Sequence, residues 1–134
     1  MDLLTKTPHF LVEAGADVRP NARLKLVVGP CQDDIKGKTV LDLAAHDGRW
    51  AYAAAGAQSV VAVEACNRQV KKFKAIKNDV IAAMVEMYQA DVSDFLENLK
   101  RRKQTFDCVA LLVFFCHTMG HTRLLRLIKS LQPN

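Results

Sequence analysis

Residues 38–64, KTVLDLAAHDGRWAYAAAGAQSVVAVE, constrain the fold more than any other part of the chain. They read as a buried strand, a tight loop, a short helix and a second strand with Glu64 at its end. Val40, Leu41 and Leu43 form an apolar run broken only by Asp42, as a parallel strand covered on both faces requires. Asp47 can cap a helix rich in alanine over residues 49–55, and Gly56 can end it. Residues 59–63 are rich in β-branched side chains and form the second strand. This is a βαβ unit of the kind in which backbone amides and a carboxylate hold a ribose-bearing cofactor.

The same alternation continues to residue 134. Residues 67–77 form a helix whose Val70, Phe73 and Ile76 fall three apart and can face a sheet. A third strand is expected at 84–87, within a residue or two. A third helix, capped by Ser93 or Asp94, turns Phe95, Leu96 and Leu99 inward and ends in the basic run 100–103. The fourth strand is expected over 106–115, the most apolar part of the chain, and a last helix over 121–130. The pattern predicts an α/β fold, a Rossmann-like parallel sheet in the order 3-2-1-4 flanked by helices, with a ligand at the strands' carboxyl ends. Residues 1–36, punctuated by Pro8, Pro20 and Pro30, form a helical preamble. The domain proper is 37–134.

Composition narrows the class. A chain of 134 residues, 50% hydrophobic and 25% charged, is one globular domain with a real core. Its net charge of +5 permits an acidic partner but is no footprint of nucleic-acid binding. The longest apolar run, 108–116, is too short to span a bilayer, and the first residues lack the pattern of a secretory signal. Cys31, Cys66, Cys108 and Cys116 show no CxxC pair, which suits reduced thiols and a cytoplasmic location.

Three acids stand at corresponding ends of three successive strands: Asp42, Glu64 and Asp91. A carboxylate ending the second strand can accept both hydroxyls of a ribose. A dinucleotide fingerprint anchored at Ala44 would need glycines at 44, 46 and 49, and none is there. An acid two residues before the loop suits a cationic ligand better than a pyrophosphate.

The stretch from Asp42 to Gly48 resembles motif I of the class I S-adenosylmethionine-dependent methyltransferases, an acid followed by three alternate glycines. Ala44 and His46 take the first two glycine positions and only Gly48 is kept. Glu64 matches the family's ribose-binding acid, Ala65 the residue whose backbone contacts adenine, and Asp91-Val92 the pair at the adenine amine and face. Residues 106–109, then Phe114 and the two residues before His117, resemble the motif beside the transferred methyl. The resemblance covers about residues 37–134 and implies S-adenosylmethionine as cofactor and methyl transfer to a small-molecule acceptor. Asp42 and Gly48 would shape the amino-acid pocket, and His117 would be the general base. At Ala44 a negative φ or some strain is expected; His46 belongs to a residue type that enters left-handed conformations.

The chain ends where that family turns into a fifth strand and two more, so a partial, truncated domain is expected. The fourth strand is then an open edge, to be covered by a missing C-terminal half or by a second copy in a homo-oligomer. Two alternatives remain: a degenerate module that binds the cofactor without turnover, and an RNA-modifying enzyme favoured only by the basic runs at 71–74 and 100–103. Those runs read as solvated helix faces and a helix C-terminus. His117 and His121 have a metal-like spacing but no third ligand nearby, so no metal is expected.

Overall fold

A computed structural model of the chain describes residues 26, 29–48, 50–51, 56–76, 84–112, 114 and 118–133. A 3-10 turn, Gly29–Cys31, leads into the short helix α1 (Gln32–Ile35). Then follow β1 (Thr39–Leu43), β2 (Ser59–Glu64), α2 (Asn67–Ile76), β3 (Val85–Gln89), α3 (Val92–Arg101), β4 (Cys108–Ala110) and α4 (His121–Ser130). Between β1 and β2, Trp50 and Ala51 are helical, within the helix expected there. The rest of that helix and most of the 1–36 preamble lie outside the described residues.

The four strands are parallel, in the order β3-β2-β1-β4. This is the sheet expected from the sequence, with β1 and β2 inside it and β1, buried from Val40 to Leu43, paired on both sides. Side chains alternate across the sheet, and the alternation divides the core into two layers. Val40, Val60, Ala62 and Val85 face Ile35 of α1, Ala51 and Phe73 of α2. Leu41, Leu43 and Val63 face Leu96 and Leu99 of α3, Phe106, and Leu124 and Leu127 of α4. Fully burying one such leucine contributes about 1.5–3 kcal/mol, so each layer is held mainly by this apolar contact. Arg123 Nη2 to Glu97 Oε1 (3.1 Å) adds an exposed tie between α4 and α3.

β3 runs from Val85 to Gln89, within the expected margin of a residue or two. Two boundaries differ from the expectation. α3 is capped by Asp91, not Ser93 or Asp94: its Oδ1 accepts from Ser93 N–H (2.8 Å) and Asp94 N–H (3.2 Å). β4 is only three residues long, paired with Val40 to Asp42 of β1. Among the described residues after Ala110, Leu111 and Phe114 lie outside the strand and pack half-buried on the second layer. Their hydrophobicity serves packing rather than pairing, which is why an apolar run overstated the strand.

A latch sets the register of β4. Asp107 Oδ2 accepts from Thr39 N–H (2.8 Å) and Thr39 Oγ1 (2.9 Å), while Asp107 N–H donates to Thr39 Oγ1 (3.0 Å). These bonds hold the exposed Asp107 carboxyl below its ordinary pKa.

Candidate functional site

Parallel strands deliver their carboxyl ends to one edge, and loop 44–48, residues 64–66 and Asp91 meet there. The loop turns back sharply after β1. Ala45 N–H donates to Val63 O (2.9 Å) and Gly48 N–H to Ala45 O (2.9 Å). Ala44, His46 and Gly48 have φ of 56°, 55° and 79°. All three alternate positions are therefore left-handed, although only one is glycine. Of the two alternatives expected at Ala44, the strained positive φ is the one found. His46 enters the left-handed region as anticipated.

Gly48 is needed for a second reason. A Cβ there would overlap the Phe73 ring of α2 and come within 3.4 Å of Met87 Cε of β3. The loop is thus seated directly on the first core layer, and its path depends on a glycine at this point.

Glu64 is the hub of the edge. Its Oε2 accepts from His46 N–H (2.8 Å) and its Oε1 from Cys66 N–H (2.7 Å). Its carbonyl accepts from Ala90 N–H (3.2 Å), which brings the end of β3 alongside. Each carboxylate oxygen has capacity for a further donor, so the group is fixed in place without being used up. The Cys66 amide was not anticipated; its signal was only that it follows the acid by two residues, the spacing of a local side-chain-to-backbone bond.

Asp42 faces the same side of the sheet as Glu64, in register with Ala62. It is 3% exposed, and among the described residues its Oδ2 is buried without a hydrogen-bond partner. Burial, with the negative charge of Glu64 second, pushes its carboxyl up to about 7. A buried carboxyl in that condition is a receptor for a donor or a cation. Four residues further along the chain, His46 Nδ1 lies 3.5 Å from Oδ1 of the neighbouring, buried Asp47.

The remaining anticipated residues fall as follows. Ala65 is exposed beside Glu64. Asp91 spends Oδ1 on the α3 cap, and among the described residues its Oδ2 carries no bond. Val92 is 4% exposed within the second layer, on the sheet face opposite Asp42 and Glu64. Ala44 and Phe114 both lie half-buried against that second layer. His117 lies outside the described residues. Gln69, buried in the first turn of α2 with its Oε1 unpartnered, is a polar residue that periodicity did not single out. Among the described residues no group of three metal-ligating side chains occurs, and no helix is long and apolar enough to cross a membrane.

Comparison with known proteins fits this geometry. The family model of a methyltransferase domain matches residues 41–132, more than half of the chain. A solved structure described as a methyltransferase in complex with SAH superposes with a TM-score of 0.67 at 20% identity, over 84% of this chain and 33% of that one. One described as an S-adenosylmethionine-dependent methyltransferase, from Listeria monocytogenes, gives 0.65 at 19% identity, over 85% and 51%. One described as an RNA methyltransferase, from Pyrococcus horikoshii, gives 0.62 at 22% identity, over 86% and 56%. The chain therefore spans between a third and somewhat over half of the length of these relatives. At such identities the likeness is one of fold. No curated protein matches the chain.

Proposed function

The chain belongs to the methyltransferase domain family, and from that premise we propose that it binds S-adenosylmethionine and passes its methyl group to a small-molecule acceptor. The observation that carries the reading is the pairing of two carboxylates on one sheet face. Asp42 is buried and unpartnered, and Glu64 is held by two backbone amides beneath a loop with three left-handed positions.

The residues fit that cofactor. Asp42 would face the cationic amino-acid end, where an ammonium or sulfonium satisfies the orphaned oxygen. Glu64 would accept from the ribose hydroxyls through the capacity its amide bonds leave. Asp91 Oδ2 would accept from the adenine amine, beside the exposed Ala65. Gly48 and the left-handed loop let backbone approach the ligand closely. Val92, being buried in the core, would support the base from behind rather than touch its face. The bound cofactor supplies a methyl group already activated on a positively charged sulfur. The chain's own contribution is to align acceptor and donor and to exclude water. Phe114, at the end of the apolar run, would wall the transfer region, and His117 would take the proton of the acceptor. The reading places the chain in the cytoplasm, where Cys31, Cys66 and Cys108 stay reduced thiols.

Calorimetric titration with S-adenosylmethionine and S-adenosylhomocysteine tests the proposal, with Glu64→Ala as the control. Both ligands should bind the parent, and the variant should lose both. Binding by neither ligand, or equal binding by the variant, would overturn it. Steep salt-dependent affinity for RNA would move the acceptor from a small molecule to RNA, a substrate class named for the Pyrococcus horikoshii relative.

A further inference from the structure

We infer that the carboxamide of Gln69 contacts the adenine base of the bound cofactor, pairing with its amine and a flanking ring nitrogen. This rests on the cofactor reading above and adds a base-selecting residue to it.

Gln69 is the third residue of α2 and is 6% exposed. Its Oε1 is buried with no hydrogen-bond partner. A buried polar group in this state destabilises the ligand-free fold and calls for a partner.

Position in the fold says which part of the ligand can supply one. Gln69 and Phe73 are four apart, so they share a face of α2 one turn apart. Phe73 packs where a Gly48 side chain would be, against the cofactor loop. Gln69 therefore lies one turn closer to the start of α2, which follows Glu64 by three residues at the carboxyl end of the sheet. α2 packs on β3 and β2. With the ribose at Glu64, the amino-acid end of the ligand points toward Asp42 of β1 and the base toward Asp91 beyond β3. The helix that carries Gln69 covers the second of these directions.

The chemistry matches. Adenine offers its amine as a donor beside a ring-nitrogen acceptor, and a glutamine carboxamide meets that pair with two hydrogen bonds. Asp91 can accept from the amine but, as a carboxylate, can offer nothing to a ring nitrogen. Of these two side chains, only Gln69 can donate to a ring nitrogen.

The test is calorimetric binding of S-adenosylhomocysteine and its 7-deaza and 1-deaza analogues to the parent chain and to Gln69→Met. In the parent, one analogue should bind about tenfold more weakly, the effect of one lost hydrogen bond. In Gln69→Met that difference should vanish and the natural ligand should weaken about as much. The ligand-free variant should melt at the same or a higher temperature, since an orphaned amide has been removed. That combination, weaker binding in a fold at least as stable, is not expected of a merely structural glutamine. Equal binding of all three ligands by the parent would overturn the inference and leave the cofactor reading standing; this arm needs no variant to fold. An unchanged preference in Gln69→Met would also overturn it. Failure of the parent to bind any of them would bring down both readings together.

Discussion

Asp42→Asn should stabilise the ligand-free chain in mild alkali and leave it almost unchanged in acid. In the folded chain burial, and then the charge of Glu64, raise the Asp42 carboxyl from 3.8 to about 7. An acid whose folded pKa lies above its unfolded one binds its proton more tightly when folded. Stability is then highest below the unfolded value, falls as pH rises from there through about 7, and levels off above it. The interval is roughly three pH units, and at about 1.4 kcal/mol per unit the folded chain loses about 4 kcal/mol across it. Asparagine has the same shape and no charge. The cost of burying an unpartnered amide in place of an unpartnered acid is common to both ends of the pH range. It cancels in the difference between them. Urea unfolding of both proteins, followed from about pH 4 to about pH 8, should therefore show the gap in stability widening by about 4 kcal/mol in favour of Asp42→Asn. A gap that stays constant with pH, or that closes toward alkali, would refute the claim that a buried, unpaired carboxylate sits beneath the loop. The ligand arm has the opposite sign. A cation beside Asp42 favours the ionised form, so affinity for S-adenosylmethionine should rise with pH through neutrality in the parent, and the asparagine variant should bind more weakly with a flatter profile.

Other substitutions probe the loop and the edge of the sheet. Gly48→Ala should lose about 2–5 kcal/mol in chemical denaturation, from about 1–2 for a left-handed alanine and about 1–3 for overlap with Phe73. Ala44→Gly and His46→Gly should each be neutral or stabilising by up to about 1 kcal/mol, because relief of the left-handed backbone outweighs the freedom glycine gains when unfolded; clear destabilisation by either would mean that its side chain carries packing of its own. Asp107→Asn and Thr39→Val should each lower the melting temperature, and the double variant should fall no further than the sum less their shared bond. The contribution of Asp107 should be present above its ordinary pKa and fade as pH falls through its lower folded value, so the gap to Asp107→Asn should narrow in strong acid.

The order of strands and helices was legible because burial on both faces leaves continuous apolar runs in β1 and β2, while α3 and α4 keep a helical period. The three strand-end acids were legible for a related reason: a charge that closes an apolar strand stands out. Two kinds of feature stayed hidden. One is the division of an apolar run between pairing and packing: residues 108–110 pair with β1, whereas Leu111 and Phe114 pack on the layer beneath, and both uses select the same side chains. The other is polarity whose partner is distant or absent. The Thr39–Asp107 latch joins residues 68 positions apart, and Gln69 is notable only because its carboxamide oxygen is buried without a partner. Neither condition leaves a trace in local spacing.

The loop itself brings these strands together. Judged by its glycines it is eroded, with one kept out of three, and composition alone would give it a new path. Its backbone nonetheless takes the left-handed turn at all three positions. The energy that holds it there comes from outside the loop. His46 N–H is anchored to the Glu64 carboxylate, Ala45 N–H to the end of β2, and Gly48 rests on Phe73. Roughly 1–2 kcal/mol of strain at each of Ala44 and His46 is within the reach of two or three such bonds, at about 0.5–1.5 kcal/mol each and more for the one to a charged group. Under the proposed function Glu64 has two tasks: it would present a carboxylate to a ribose, and it holds the loop at the same edge. A substitution that removes the first removes the second, and for that reason Glu64→Ala should cost stability as well as binding. Glu64→Gln, which can still accept one of the amides, should recover more of the fold than of the affinity.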